Sequence, residues 1–147
     1  MAIHCLIVSR YNIVYDGIVD MVLLPSVTGQ LGILENHVRM YTKLQNGIIT
    51  LKTEGEDLYF TSTGGIAEVK PDQVRVLVDS SENIDDIDFD RAEEARNRAV
   101  DMMAGIPSHS SSEFMKAMML MKKSTMRMNA YRKHGRTRHG SKVLKRK

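Results

Sequence analysis

Between Ile87 and Ala92 the hydrophobic pattern changes its period, and no one regular element can hold both patterns. Upstream, Val74, Val76 and Val78 share one face while Arg75 and Asp79 flank Leu77 on the other, the period-two pattern of a half-buried strand. Downstream, Ala92, Ala95, Ala99, Met102, Met103 and Ile106 recur at steps of three and four, which makes one apolar stripe on a helix. The chain therefore divides into an all-β part and an all-α part.

The β part reads as short strands over residues 3–9, 18–24, 48–53, 58–63, 66–70 and 73–79. Asp16-Gly17, Asn46-Gly47, Glu54-Gly55, Gly64-Gly65 and Pro71-Asp72 are turn signals at close intervals, with no room for a crossover helix. The expected fold is an N-terminal antiparallel β-sandwich over residues 1–86. A C-terminal antiparallel two-helix hairpin follows over residues 87–133. Asp88 or Asp90 can cap the first helix, and Gly105 and Pro107 end it. A serine-rich break over 108–112 follows, and Ser110 with Glu113 has capping-box spacing for a helix from about Glu113 to Arg132. In that helix Met115, Met118, Met119, Met121, Met126 and Met128 spread apolar surface around much of the circumference, as suits either a helix that changes partners or a loosely specified hairpin core. Residues 134–147 read as a basic, disordered tail.

The 147 residues suffice to bury a core, and no apolar run reaches the roughly 18 residues that span a bilayer. The N-terminus lacks a signal peptide's pattern. Cys5 is the lone cysteine, so no internal disulfide forms; its strand-like setting predicts a buried thiol rather than a nucleophile.

The net charge of +3 conceals a gradient. Residues 1–86 carry 6 Lys/Arg against 12 Asp/Glu, residues 87–112 carry 3 against 5, and residues 113–147 carry 12 against 1. A C-terminal segment at +11 suits an acidic partner, while for its last dozen residues a freely solvated tail accounts for the charge equally well.

Catalytic signatures are missing: there is no GxxxxGK[ST] loop, HExxH, paired CxxC or GxSxG, and the five histidines are scattered. The junction alone groups chemistry. Asp88, Arg91 and Arg98 lie three and seven residues apart, on one face of a helix, and an antiparallel partner brings Lys122, Lys123 and Arg127 near. Several cations beside one carboxylate suit an anion with a hydrogen-bonding ring, such as a nucleotide. By spacing alone, a capping Asp and surface ion pairs explain the same residues.

The order of short words along the chain is specific. Val14-Tyr15-Asp16-Gly17-Ile18-Val19-Asp20-Met21-Val22-Leu23-Leu24-Pro25 is followed by Gly29-Gln30-Leu31-Gly32-Ile33-Leu34 and His37. Asn46-Gly47, Ser62-Thr63-Gly64-Gly65, Glu68-Val69 and then Ile87-Asp88 with Arg91-Ala92 continue it. Over about residues 3–130 this resembles the epsilon subunit of bacterial and plastid F-type ATP synthases.

That resemblance implies a non-catalytic subunit of the rotor's central stalk. Its sandwich binds the gamma subunit and rests on the ring of c subunits, helping to couple proton flow to ATP synthesis. Its hairpin restrains ATP hydrolysis when extended toward the alpha and beta subunits. It further implies a c-ring contact at Gln30, Leu31, Gly32 and His37. No cofactor is required, but in some members ATP binds the folded hairpin through an Ile/Leu-Asp-x-x-Arg-Ala motif. Here that site would comprise Ile87, Asp88, Arg91, Ala92, Arg98, Lys123 and Arg127. The implied location is peripheral, on the cytoplasmic face of the bacterial inner membrane in preference to the stromal face of the plastid thylakoid. Two departures stand out: Gln30 replaces the family's usual Glu, and Lys122 or Lys123 falls where a second-helix arginine is usual. A lysine there makes no planar bidentate contact. A nucleic-acid-binding protein is the alternative class. It rests on the basic tail alone and has no aromatic stacking platform, so no nucleic-acid partner is expected.

Overall fold

The computed structural model describes residues 2–135, which form two units divided between Asn83 and Ile84. The first contains β1 (Ile3–Val8), β2 (Ile13–Val19), β3 (Met21–Ser26), β4 (Gly29–Ile33), β5 (Met40–Thr53), β6 (Glu56–Val69) and β7 (Gln73–Leu77). Their hydrogen-bonded order is β2-β1-β7-β6-β5-β3-β4. Every pairing among these strands is antiparallel except β1 with β7, which run parallel with Cys5 opposite Val74 and Ile7 opposite Val76.

The long β5–β6 hairpin ties the sheet together. It keeps one register from Met40 opposite Val69 to Thr53 opposite Glu56. Ile66–Val69 at one end pairs with β7, while Leu51 and Lys52 at the other pair with Val22 and Met21 of β3. Alternate residues of these strands, among them Ile3, Cys5, Ile7, Val22, Leu24, Ile33, Ile49, Leu51, Val74 and Val76, are fully buried in one apolar cluster. Each large side chain so buried contributes roughly 1.5–3 kcal/mol.

The expected strand over 18–24 divides at Asp20. Val19 still pairs with Ile3 of β1, whereas Met21 pairs with Lys52 of β5, and the Asp20 amide donates to the Lys52 carbonyl at 2.8 Å. The chain thus changes neighbours at a corner that leaves the hydrophobic pattern unbroken. Three expected turns, Asp16-Gly17, Asn46-Gly47 and Gly64-Gly65, lie inside strands. Their glycines serve close approach instead. A Cβ on Gly65, which has φ +124°, would sit 2.0 Å from the Leu77 carbonyl oxygen, and one on Gly47 would sit 2.9 Å from Pro25 Cβ. Near Pro25, which has no N–H to give, the β3–β5 register shifts.

The second unit begins with a 3₁₀ turn at Ile84–Asp86 and continues through α1 (Phe89–Ala104), α2 (Ser112–Ala130) and a π turn at Tyr131–Gly135. Asp88 caps α1: its side chain accepts a hydrogen bond from the Arg91 amide at 3.2 Å. At the other end the Gly105 amide donates to the carbonyls of Asp101 and Met102. Ser111, one residue past the expected Ser110, caps α2 by accepting from the Phe114 amide, and the His109 ring stacks on Phe114 at 4.5 Å. Ala92 and Ala99 of α1 and Ala117, Ser124 and Met128 of α2 are buried. Met102, expected in the stripe, is exposed, and Arg96 is partly covered instead. The helix expected to end at Arg132 widens after Ala130 into the π turn, which takes in His134 and Gly135. The remainder of the expected tail, residues 136–147, lies outside the described residues.

Candidate functional site

In the β unit, residues directly opposite one another share a face, so the register arranges the outer surface in rows. Ile13, Val8, Leu77, Ile66 and Lys43 form one row across β2, β1, β7, β6 and β5. Asp16, Leu6, Arg75, Glu68 and Tyr41 form the next, and Ile18, His4 and Gln73 a third. Ile13 is 62% exposed, Ile66 48%, Leu77 50% and Tyr41 74%. These strands therefore present apolar side chains on both faces. Such a patch, rimmed by charge, marks a docking surface.

A groove of about 270 Å³ runs across the first two rows, lined by Leu6, Val8, Tyr41, Ile66, Glu68, Arg75 and Leu77. Its polar end is organised. The Tyr41 hydroxyl donates to Glu68 Oε2 at 2.7 Å, and Lys70 Nζ and an Arg75 guanidinium nitrogen lie 3.8 Å from Glu68 Oε1. The Tyr41 hydrogen bond first, then the two cations, holds the Glu68 carboxyl below its ordinary range, and the same bond raises the Tyr41 phenol. At the other edge His4 joins Asp16 (Nε2 to Oδ1, 2.5 Å) and Gln73, whose amide nitrogen lies 3.0 Å from His4 Nδ1. With the amide donating to Nδ1, His4 is the Nε2–H tautomer and donates to Asp16. This face was not foreseen from sequence. Its signal is the apolar residue at both odd and even positions of β1: Ile3, Cys5 and Ile7 inward, Leu6 and Val8 outward.

The residues assigned to a c-ring contact lie on β4, an edge strand of the sheet, and in the loop after it. Gln30 and Gly32 are exposed, Leu31 packs on the core, and His37 is half-buried with Nδ1 2.8 Å from the Val38 carbonyl, to which it donates. The loop is pinned by the Asn36 amide, which donates to the Pro71 carbonyl at 2.8 Å. Exposed Leu34 and Val38 flank it.

The junction residues lie at the start of α1 and along α2. Ile87 and Ala92 are buried, whereas Asp88, Arg91 and Arg98 are exposed. On α2, Lys123 is exposed and Arg127 half-buried. Phe89 meets Tyr131 with ring centroids 5.8 Å apart, so the helices are antiparallel and Lys123 and Arg127 stand at about the level of α1's Arg98-to-Arg91 stretch. Among the described residues, Arg91, Arg98 and Lys123 form no ion pair. Arg91, Arg98 and Lys123 offer cations to an anionic ligand, with the carboxylates of Asp88 and Glu94 along the same stretch of α1.

Reactive groups are few. Burial, then the Asp16 charge, pushes the Cys5 thiol up to about 12, which makes it inert. Among the described residues no group of three or more His, Cys, Asp or Glu is placed to hold a metal, and no helix is long and apolar enough to cross a membrane.

Residues 2–84 match the family model of the ATP synthase delta/epsilon chain β-sandwich domain, and residues 85–132 match that of its long α-helix domain. The ATP synthase epsilon chain of Gloeobacter violaceus is 36% identical over 130 residues, covering 88% of this chain and 97% of that one. That of Acidithiobacillus ferridurans is 40% identical over 105 residues, 71% of this chain and 74% of that one. In fold, a chain of the Euglena gracilis mitochondrial ATP synthase aligns with TM-score 0.68 at 17% identity, covering 82% of this chain and 75% of that one. A chain from the central stalk and c-ring of the Tetrahymena thermophila enzyme aligns at 0.53, also at 17% identity, over 87% and 93%.

Proposed function

The chain belongs to the ATP synthase delta/epsilon family, as an epsilon subunit of the F type, and on that basis we propose how its two units divide the work. The β unit is the coupling part. Its outer apolar rows dock on the gamma subunit, and β4 with the loop through His37 rests on the c-ring, through apolar and backbone contacts because Gln30 brings no charge. The subunit is non-catalytic and peripheral, on the cytoplasmic face of the bacterial inner membrane. The observation that carries this reading is the register-built apolar face, which a free-standing sandwich would not need. Replacing Leu77 and Ile66 together by Ser tests it: co-purification with gamma should fall at least tenfold, and unchanged recovery would remove the assignment.

The hairpin is the regulatory part. Extended, it reaches the alpha and beta subunits and restrains hydrolysis. Its outer surface, with Met115 and Met119 exposed beside Lys116, Lys122 and Lys123, suits an acidic, partly apolar surface. Reconstituted ATPase should hydrolyse ATP faster with a chain ending at Asp86 than with the full chain; equal rates would eliminate the brake but not the coupling role.

ATP acts as a regulatory ligand of the folded hairpin, held by Asp88, Arg91, Arg98, Lys123 and Arg127 around the buried Ile87 and Ala92. To shift the equilibrium it must bind the folded state more tightly than the extended one. Arg91→Ala and Arg98→Ala should each weaken ATP binding about tenfold by calorimetry. Unchanged affinity in both would sink the site.

A further inference from the structure

At the open end of the hairpin the first residue of α1 and the turn after α2 are joined. The Phe89 ring meets Tyr131 at 5.8 Å with a tilt of 42°, and the Arg132 guanidinium carbon lies 5.2 Å over the Phe89 ring centroid. The π turn sets both partners in place, since it carries Tyr131 and Arg132 onward from α2. Gly135, buried at its end, lies against the Tyr131 ring: a Cβ there would come within 2.9 Å of Tyr131 Cδ2. We propose that Phe89, Tyr131 and Arg132 form a clasp that holds the hairpin closed and sets how often it opens. This rests on the reading of the hairpin as the extending, regulatory part. The motif supplies Asp88, Arg91 and their neighbours, but Phe89 occupies one of its unspecified positions, and Gly135 lies past the matched helical domain.

The physics favours a latch over general packing. An aromatic pair and a cation over a ring face are directional contacts that vanish together once the two helix ends part. Because Phe89 lies in the first turn of α1, next to Asp88 and two residues before Arg91, the clasp also orders the backbone that carries the ligand motif. The clasp and a bound ligand therefore stabilise the same closed state, and each helps the other.

The experiment is hydrogen exchange on the full-length chain, read at the Ala92 amide, which donates to the Asp88 carbonyl, and at the Tyr131 amide, which donates to the Arg127 and Met128 carbonyls. Phe89→Leu should speed both about tenfold while the Val76 amide of the sheet keeps its rate. Arg132→Gln should speed them by less and add nothing to Phe89→Leu, because its partner is already gone. Gly135→Ala is the sharper variant: a helix-propensity argument predicts slower exchange, whereas displacement of the Tyr131 ring predicts faster. Unchanged rates in Phe89→Leu and Gly135→Ala, or independent effects of Phe89 and Arg132, would overturn the clasp. The same variants in reconstituted ATPase should be more strongly inhibited. If exchange quickens and inhibition does not change, the clasp stands and the hairpin's role as a brake falls.

Discussion

Gly65 has no space for a side chain. Its φ of +124° and the Leu77 carbonyl oxygen 2.0 Å from a notional Cβ act together, because the left-handed backbone is strained for other residues and β7 blocks the space. Gly65→Ala should cost ~2–4 kcal/mol in denaturant unfolding of the β unit. Gly55, also at positive φ but with open space around its Cβ position, should tolerate alanine better. Cys5 offers a second test at this scale. Raising a thiol from 9.0 to about 12 lowers its thiolate fraction roughly a thousandfold near neutral pH. The native protein at pH 8 should leave Cys5 unmodified by a thiol reagent that labels it fully in denaturant, and rapid native labelling would contradict its burial.

At the scale of elements, the helix caps and the π turn respond to separate perturbations. Asp88→Ala removes the acceptor for the Arg91 amide and should cost the hairpin about 1 kcal/mol, seen as earlier thermal loss of helix signal. His134, in the π turn, is pushed below 6.5, by burial first and then by the Lys133 charge. A base with a depressed pKa is held neutral by the fold, so its contribution is whole above pH 6.5 and is lost as pH falls from there through the depressed value. The protection factor of the Tyr131 amide, which sets aside the ordinary slowing of base-catalysed exchange at lower pH, should therefore fall on acidification below about 6.5, and His134→Gln should flatten that response. Much of this level was legible: the alternation of β7, the alanine stripe of α1 and the cap at Asp88 are local signals with local causes. Ser111 was missed for Ser110 because adjacent serines offer equivalent caps until the loop settles, here with Ser111 Oγ donating to the Ser108 carbonyl at 2.9 Å. Asn46-Gly47 and Gly64-Gly65 misled because their glycines answer to Pro25 and Leu77, residues remote in sequence. The apolar outer face escaped for a related reason. Only the register of four strands puts Ile13, Val8, Leu77 and Ile66 in one row.

Across the whole molecule, charge is divided by sequence: net −6 over residues 1–86 and +11 over 113–147. Contacts made by the C-terminal part with an acidic partner should weaken steeply with salt, while those of the apolar β face should hold. Measuring release of the full chain and of a chain ending at Asp86 from the same assembly, between about 50 and 300 mM salt, separates the two. Equal salt dependence would show that the C-terminal charge makes no contact. The parallel pairing of β1 with β7 sets a schedule for synthesis. His4 and Gln73, hydrogen-bonded neighbours in the sheet, are 69 residues apart, so β1 leaves the ribosome with one of its partner strands still untranslated. The β5–β6 hairpin closes over a two-residue connection and can form early, but the sheet is incomplete until β7 emerges. Until then the inward Cys5 and Ile7 of β1 lack their buried neighbours Val74 and Val76, and the nascent chain's exposure to aggregation lasts until its last strand arrives.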